Sequence, residues 1–316
     1  NFPIGASARE LGMNNNRVEY LKHDGVMRSE VNSVVSKAPN GIFIDATYGY
    51  GSHYNFLSDN NKHLNFIAID RDIDAVKNST DEVLNINFSN ITDVLTYKNI
   101  KSISGVFYDF GVSSHQIEHP KRGFSYITSG PLDMRMNQKD KLTASDVLNQ
   151  YEKKEIADIL FKYSGEKNSH KIAKEILKSR PLHTTQDFVN VLKTVLGKQK
   201  PKYINQTLKR CFQAIRIYIN NELEEIYTSI NKIKDFIKPE GIIVCLTYHS
   251  LEDKLIKDIF LEMTKSCICD SRSPICNCEL VQEFKYGKKK KIYPSEIEMK
   301  TNKKSTSATL RYVVKL

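Results

Sequence analysis

Short apolar runs alternate with amphipathic stretches along the first third of the chain. Three of these runs each end in an aspartate, at Asp45, Asp70 and Asp109. The stretch 72–84 repeats apolar residues at helical spacing, and a further short strand is predicted around Phe88. Apolar strands that alternate with helices predict a parallel sheet with helices on both faces, so the predicted fold class is α/β.

The pattern changes after residue 122, where helical periodicity dominates and no strand is predicted up to residue 205. The helices predicted there span 144–151, 153–163, 170–178 and 185–196. The pattern then predicts a long helix at 206–237, a fifth strand at 242–247 and an edge strand at 308–314. We therefore expect a tail at 1–22, a sheet domain in two pieces at 23–122 and 206–316, and a helical insertion at 123–205.

Composition narrows the class of protein. With 40% hydrophobic and 27% charged residues, the 316-residue chain is typical of a globular protein of about two domains. No apolar run is long enough for a membrane span and no secretory pattern is found, so we expect no membrane partner. The net charge is +10, and segment 285–304 alone carries eight lysines and two glutamates. Such a basic segment suits contact with a polyanion, and a solvated tail is the alternative.

Four of the six cysteines lie close together, at Cys267, Cys269, Cys276 and Cys278. In a chain of this length the cluster suits a metal site or reduced thiols better than a disulfide scaffold. Four thiolates can enclose a tetrahedral zinc ion, although zinc ligands more often pair as C-x2-C than as C-x-C. We therefore expect either a structural zinc ion or reduced thiols without a metal.

The loop after the first strand carries Gly49 and Gly51, which let the backbone N–H groups approach a ligand. It lacks the third glycine of the dinucleotide fingerprint, so a tight turn without a ligand is the alternative. Asp70 ends the next strand, where an acid can accept the ribose hydroxyls of a nucleoside cofactor. Asp72 is the competing acid, but its position suits a cap of the following helix.

No phosphate-binding lysine motif follows these glycines, which leaves a nicotinamide dinucleotide or S-adenosylmethionine as the cofactor. The fourth strand ends in Asp109-Phe110-Gly111-Val112-Ser113-Ser114, a polar and flexible junction. Methyl transfer needs such a place for the acceptor, whereas hydride transfer does not. The junction therefore favours S-adenosylmethionine.

A series of motifs follows in order from residue 23 onward. They include Gly49-Tyr50-Gly51-Ser52-His53, Ile69-Asp70-Arg71-Asp72, Asp109-Phe110-Gly111-Val112-Ser113-Ser114-His115-Gln116, Arg122-Gly123-Phe124-Ser125, Gly130-Pro131-Leu132-Asp133-Met134-Arg135-Met136 and His249-Ser250-Leu251-Glu252-Asp253. With these motifs the chain resembles the bacterial small-subunit rRNA cytosine-N4 methyltransferases of the MraW or RsmH type. It departs from that pattern at Ser52, usually a glycine, and at Gly25 and His115, both usually prolines.

The resemblance implies a Rossmann-like, S-adenosylmethionine-dependent methyltransferase sheet with an inserted helical subdomain that recognises the substrate. The implied reaction is methylation of the exocyclic N4 of a cytosine near the ribosomal P site, position 1402 in the usual 16S rRNA numbering. With Gly49 of the loop, the implied cofactor contacts are Gly51, Ser52, His53, Asp70, Phe88, Asp109 and Gln116.

The amino group N4 is a poor nucleophile, so the protein must hold it in line with the methyl group. The candidates to hold it are Asp109, Asp133 and His249. The alternative for Asp133 is an acid that stabilises a turn, and the alternative for His249 is a residue at the start of a helix. Arg135 is a candidate for a phosphate of the target, or else the salt-bridge partner of Asp133. The candidates for the RNA backbone are Lys288, Lys289, Lys290 and Lys291.

The expected partner is small-subunit rRNA, free or in the assembled subunit, and the sequence leaves a homodimer open. The expected location is the bacterial cytoplasm or an organelle with bacterial-type ribosomes. Two rival functions are a nicotinamide oxidoreductase and a zinc-bearing RNA-binding protein without enzymatic activity. Of the three, only the methyltransferase is expected to bind S-adenosylmethionine tightly.

Overall fold

The computed structural model describes residues 25–269 and 278–316. The chain forms two compact units. The sheet unit comprises the chain up to Gly111 and from Leu223 onward, and the helical unit comprises Val112–Glu222. No helix of the described residues is both long and apolar enough to cross a membrane.

The helices, in chain order, are α1 (Arg28–Val35), α2 (Ser52–Asn60), α3 (Ile73–Lys77), α4 (Ile91–Tyr97), α5 (Ser114–Glu118), α6 (Ala144–Gln150), α7 (Lys153–Ser164), α8 (Ser169–Lys178), α9 (Thr185–Leu196), α10 (Pro201–Ile219), α11 (Glu222–Ile233), α12 (Ser250–Met263) and α13 (Glu296–Thr301). The strands are β1 (Gly41–Asp45), β2 (Leu64–Asp70), β3 (Val83–Asn85), β4 (Ile103–Asp109), β5 (Ile237–Thr247), β6 (Phe284–Tyr286) and β7 (Thr309–Lys315).

The sheet has the strand order β3-β2-β1-β4-β5-β7-β6. Strands β1 to β5 pair in parallel, whereas β7 pairs antiparallel with both β5 and β6. The order reverses beside β1, so the carboxyl ends of β1, β2 and β4 meet at a topological switch point, where ligands bind in sheets of this kind. The predicted α/β class is confirmed, and the sheet is Rossmann-like.

Neighbouring residues of one strand serve opposite faces of this sheet because strand side chains alternate. Ile44 of β1 packs in the same core as Ile230 of α11. Phe43, the residue before it, packs with Val31 of α1 and Leu57 of α2 on the other face. Helices therefore cover both faces, which is why the parallel strands are apolar along almost their whole length.

The helical unit has a core of its own, formed by apolar stripes of α6 to α10. Thr143 and Thr184 start α6 and α9 as capping boxes, each with an aspartate three residues later. The four helices predicted between residues 144 and 196 are confirmed, with ends that differ by at most one residue. The helical unit also includes α10.

Three local predictions were wrong. The helix predicted at 72–84 ends at Lys77, because Val83 and Leu84 pair with β2 as strand β3, and Phe88 begins a 3-10 turn after that strand. The helix predicted at 206–237 is two helices, separated at Asn221, which has a φ of 49°. β7 is not an edge strand, because β6 pairs along its outer side.

Candidate functional site

The glycine loop connects β1 to α2 and combines one open position with one closed position. Gly51 is the N-cap of α2 with a φ of 75°, and a Cβ there would lie 2.6 Å from Oη of Tyr48. Gly49 has a φ of 56°, but its nearest neighbour, the Thr47 carbonyl oxygen, would lie 4.0 Å from an added Cβ. Gly51 is therefore required by the turn, whereas the space beside Gly49 suits a ligand.

Asp70, at the end of β2, fastens this loop. Its Oδ2 accepts the Gly49 N–H at 2.8 Å, and its Oδ1 accepts the Asp72 N–H at 2.8 Å. Burial raises the pKa of Asp70 to about 6, against the effect of these two backbone hydrogen bonds. Asp72 itself accepts from the Asp74 N–H and caps α3, the role expected for it.

Asp109, at the end of β4, is the centre of a second network. Its backbone N–H donates to Oγ1 of Thr47 at 2.6 Å. Its two carboxylate oxygens contact the Tyr248 hydroxyl at 2.7 Å and Nδ1 of His53 at 3.3 Å. The carboxylate remains about a quarter exposed, at 25%. The structure thus brings together three strand ends, because α2, which carries His53, follows the loop after β1, and Tyr248 follows β5.

Both ring nitrogens of His53 face acceptors, since Nε2 lies 2.9 Å from the Val26 carbonyl oxygen. A neutral imidazole has only one N–H, so this arrangement favours the doubly protonated ring. Burial alone would lower the pKa of His53, but the hydrogen bond and the charge of Asp109 raise it above its usual value. These contacts therefore favour a protonated His53, buried beside the partly exposed carboxylate of Asp109.

Asp45 and Tyr248 are site residues that the sequence analysis did not assign. Oδ1 of Asp45 accepts the Thr47 N–H at 3.1 Å, and its buried Oδ2 has no hydrogen-bond partner among the described residues. Burial raises the pKa of Asp45 to about 7; the Thr47 hydrogen bond and His53 lower it, whereas the charges of Asp109 and Asp70 raise it. The only signal in the sequence was that an aspartate ends this strand too.

Tyr248 follows β5 immediately and precedes the His249 motif. Burial and the nearby charge of Asp109 raise the pKa of Tyr248 well above its usual value. The side chain therefore stays a phenol, and its hydroxyl donates a hydrogen bond to Oδ1 of Asp109. Its position at the end of a strand, as for the three aspartates, was the signal that could have identified it.

Two other predicted cofactor contacts lie near these networks in the fold. Oγ of Ser52 accepts the Gly25 N–H at 2.7 Å, which fastens the start of α2 to the segment before α1. Phe88 is half-buried and packs edge-on against Tyr108 and Phe110, with ring centroids 5.8 and 6.0 Å away. Both side chains thus have structural contacts of their own.

His249 is the N-cap of α12. Its Nδ1 accepts the Glu252 N–H at 3.3 Å, and its Nε2 lies 2.9 Å from Oε1 of Glu252. This geometry is that of the helix-start residue named as the alternative for His249. Glu252 is fully buried, so the contact orients the histidine firmly.

Gln116, Asp133 and Arg135 lie in the helical unit. Gln116 is buried and forms a capping box with Ser113 at the start of α5. The guanidinium of Arg135 holds both oxygens of Asp133, at 2.9 and 2.7 Å, and its Nη1 donates to the carbonyls of Gln138 and Asp140. Four of its five N–H donors are therefore engaged within the loop.

The loop at 131–136 is also held by two side chains that the sequence analysis left without a role. Arg122, 3% exposed, donates through Nη2 to the carbonyls of Arg135 and Met136 at 3.0 Å. Asn220 donates to the Met134 carbonyl at 2.8 Å and accepts the Met136 N–H at 2.7 Å. The loop is thus rigidly bonded to α10, which positions Asp133.

The predicted RNA-backbone lysines follow β6. Lys288, Lys289 and Lys290 are exposed, whereas Nζ of Lys291 lies 3.0 Å from Oδ2 of Asp253. Arg311 of β7 holds the same carboxylate and also donates to the Lys290 carbonyl. The end of this segment is therefore attached to α12 and β7. Lys288 and Lys289 are exposed, and Nζ of Lys290 lies 5.4 Å from the centre of the Tyr286 ring.

Three of the four clustered cysteines are described: Cys267, Cys269 and Cys278. Their sulfur atoms all lie within 4.8 Å of one another. The fourth, Cys276, lies outside the described residues.

Comparisons with known proteins identify the family of this chain. Over residues 20–316 the chain matches the model of the MraW methylase family. It is 38% identical to the ribosomal RNA small subunit methyltransferase H of Caldicellulosiruptor saccharolyticus, over 93% of this chain and 99% of that protein. It is 36% identical to the protein of the same name from Halothermothrix orenii, over 92% of this chain and 97% of that protein. A third relative of that name, from Mycoplasmopsis synoviae, is also 36% identical, over 93% and 98% of the two chains. The chain therefore belongs to the MraW methylase family.

Proposed function

We propose that this protein methylates small-subunit rRNA, with S-adenosylmethionine as the methyl donor. The acceptor we propose is the exocyclic N4 of the cytosine at position 1402 of 16S rRNA in the usual numbering, near the P site. The relatives named as small-subunit rRNA methyltransferases support the substrate class. The observation that carries the proposal is the cluster of strand-end carboxylates around the glycine loop, at Asp45, Asp70 and Asp109.

This cluster fits the proposed cofactor chemically. Each oxygen of Asp70 accepts one backbone N–H and keeps a lone pair that a ribose hydroxyl can use. The loop beside Gly49 is open, and the buried Oδ2 of Asp45 is without a protein partner among the described residues. A cationic nucleoside suits a site with three carboxyl groups. We therefore assign the ribose to Asp70, with Gly49, Gly51, Ser52, His53, Phe88 and Gln116 as the further contacts that the family resemblance implies.

S-adenosylmethionine supplies an electrophilic methyl group on a sulfonium. The work of the protein is to orient the weakly nucleophilic N4, because correct positioning alone is worth roughly 7–11 kcal/mol. In our proposal Asp109 accepts an N–H of the amino group, and Tyr248 and His53 fix the direction of its carboxylate. As the N–C bond forms, the methyl–sulfur bond of the donor would break and leave a neutral thioether, and the proton of the acidified N4 would pass to Asp109 or to water. Asp133 and His249 are the further candidates to hold N4.

The base must leave its helical stack or be single-stranded to reach such a site. We propose that Lys288, Lys289 and Lys290 contact the RNA backbone, with a smaller contribution from Lys291 because Asp253 already pairs with it. The helical unit is the other candidate RNA-binding surface. Where bacterial-type ribosomes are present, the protein would meet its substrate as free rRNA or as the assembled subunit.

Mass spectrometry of small-subunit rRNA from cells with and without this protein tests the proposal. We expect one methyl group to be lost from the fragment that contains C1402, and fragmentation to place it on the base at N4. The purified protein should restore that methyl group in vitro on subunits from the deficient cells, and the Asp109→Asn variant is the inactive control. An unchanged fragment, or a methyl group on another atom, would exclude the N4 assignment.

Calorimetry with S-adenosylmethionine tests the cofactor separately. Binding with one site per chain supports the methyltransferase and excludes both an oxidoreductase and a non-enzymatic RNA-binding protein. Absence of binding to the folded protein would contradict the proposal.

The lysines are tested through the salt dependence of rRNA affinity. Replacing Lys288, Lys289 and Lys290 with Gln should reduce the slope of log K against log salt by up to about 2–3, since each phosphate contact contributes roughly 0.7–0.9. A matched control is the exchange of the exposed Lys98 and Lys101 on the sheet unit, which should leave the slope unchanged. Equal slopes for both variants would show that the basic segment is merely solvated.

A further inference from the structure

Three thiol groups converge at the surface of the sheet unit, in the segment between α12 and β6. Cys267 and Cys269 follow the end of α12, and Cys278 precedes β6. Their sulfur atoms lie close together although the residues are up to eleven positions apart in the sequence. Cys267 is exposed and the other two are half-buried. The proposed methyl transfer makes no use of these residues.

The spacing of the sulfur atoms suits a shared metal ion. Sγ of Cys267 and Sγ of Cys278 lie 3.8 Å apart. Two thiolates on a tetrahedral zinc ion, with Zn–S bonds of about 2.3 Å, are themselves about 3.8 Å apart. A disulfide would need about 2.05 Å, and none of the five described cysteines is disulfide-bonded.

Backbone N–H groups also face the sulfur atoms. The Ile268 N–H donates to Sγ of Cys278 at 3.4 Å, and the Cys269 N–H donates to Sγ of Cys267 at 3.3 Å. Such N–H groups favour the charged thiolate over the thiol, and outer contacts of this kind orient metal ligands. The C-x-C turn thus provides two ligands and the donors that stabilise them.

We propose that Cys267, Cys269 and Cys278 bind one structural zinc ion as thiolates. The ion would connect the end of α12 to the segment that leads into β6, the three-residue strand at the sheet edge. Soft thiolate ligands favour zinc over magnesium or calcium, and a ligand set made of cysteine thiolates is typical of structural zinc. The proposal is independent of the methyltransferase function, and its tests do not measure methyl transfer.

The first experiment measures metal content in the full-length protein, purified under reducing conditions and dialysed against metal-free buffer with and without prior addition of zinc chloride. We expect about one zinc ion per chain after addition. Cobalt chloride in place of zinc should give the sulfur-to-metal charge-transfer absorption of tetrahedral thiolate coordination. Protein that retains no zinc, or a cobalt spectrum without that absorption, would overturn the proposal.

The second experiment maps alkylation of each cysteine by iodoacetamide, with zinc bound and after treatment with EDTA. Cys267, Cys269 and Cys278 should react at least about tenfold more slowly with zinc bound. Cys211 and Cys245, both fully buried, are internal controls that should react slowly in either state unless the protein unfolds. Equal alkylation of Cys267 in both states, or a disulfide between any of the three, would contradict the proposal.

Variants show what the ion does for the fold. EDTA should lower the melting temperature of the wild-type protein by about 2–8 °C, because a bound metal stabilises the folded state. The Cys267→Ser variant should start from the lower value and show no further effect of EDTA, whereas Cys211→Ala should keep the full EDTA effect. An EDTA effect of the same size in Cys267→Ser would overturn the assignment of this ligand.

Discussion

Asp109 of the sheet unit and Asp133 of the helical unit are both candidates to hold the target amino group, but their partners differ. Asp109 contacts a phenol and an imidazole, through the Tyr248 hydroxyl and Nδ1 of His53. The guanidinium of Arg135 occupies both oxygens of Asp133. The hydrogen bond with Asp133 raises the pKa of Arg135 above its usual value. Asp109 thus faces a neutral phenol and a histidine with a raised pKa, each through one oxygen, whereas both oxygens of Asp133 face one permanent cation.

This difference matters because a carboxylate can accept a hydrogen bond from N4 only if its protein partners leave a lone pair free and do not neutralise its charge. A bidentate guanidinium neutralises a carboxylate and fixes its plane. At Asp109 the phenol and the imidazole each contact one oxygen, and a quarter of the side chain stays exposed to a ligand. We therefore expect Asp109 to act on the substrate and Asp133 to act mainly on its own loop.

The largest expected effect separates the two acids. Asp109→Asn keeps the size of the side chain but removes the charge, and kcat should fall by at least about 100-fold because N4 is no longer held correctly. Asp133→Asn should lower kcat by less than about tenfold. Single-turnover methylation of assembled subunits measures both. Equal losses would mean that the two carboxylates share the role, and a larger loss for Asp133→Asn would reverse the comparison.

The same contrast explains how much of the site could be predicted from the sequence. Asp70 and Asp109 could be assigned because each ends an apolar run and the parallel sheet brings strand ends together, whereas Asp45 ends a run in the same way but received no role. Tyr248 was not assigned because its contact with Asp109 joins strands that are distant in sequence. Only the pairing of β4 with β5 places them side by side.

The helical unit shows the opposite limit. Its helices follow from periodicity and capping residues, and those predictions are confirmed. The bonds of Asn220 to the loop at 131–136 span more than eighty positions, so no local pattern indicates them. The break at Asn221 was missed for a related reason, since the positive φ of a non-glycine residue is imposed by the surrounding fold.

The second prediction concerns the cofactor and belongs to the sheet unit alone. Asp70→Ala removes an acceptor for the ribose and releases the Gly49 N–H, so S-adenosylmethionine should bind about 10–100-fold more weakly. Calorimetry measures the change, and the control is Asp93→Ala, at an exposed position of α4, which should leave the affinity unaltered. Unchanged affinity for Asp70→Ala would mean that the ribose assignment is wrong.

The third prediction uses the titratable character of the sheet site. The pKa of Asp70 is raised to about 6 and that of Asp45 to about 7, so both are largely protonated at pH 5. A cationic cofactor favours the ionised carboxylates, and binding should therefore release protons and be about tenfold weaker at pH 5 than at pH 8. Calorimetry in buffers of different ionisation enthalpy counts the protons. Affinity that is flat over this range would show that these groups do not face the ligand.

The smallest expected effect tests whether Arg135 serves the loop or the RNA. Lysine cannot reproduce the bidentate contact with Asp133, so Arg135→Lys should lower the free energy of unfolding by about 1 kcal/mol, measured by urea denaturation. Because four of its five donors are already engaged, the salt slope of rRNA binding should stay unchanged. A double-mutant cycle with Asp133→Asn should give a coupling of about 0.5–3 kcal/mol, since the two side chains form one unit. The Arg135→Gln variant, which removes the charge, should likewise leave the slope unchanged. If Arg135→Gln instead keeps its stability and loses about one unit of salt slope, Arg135 contacts a phosphate, and the permanent cation belongs to RNA recognition rather than to the loop.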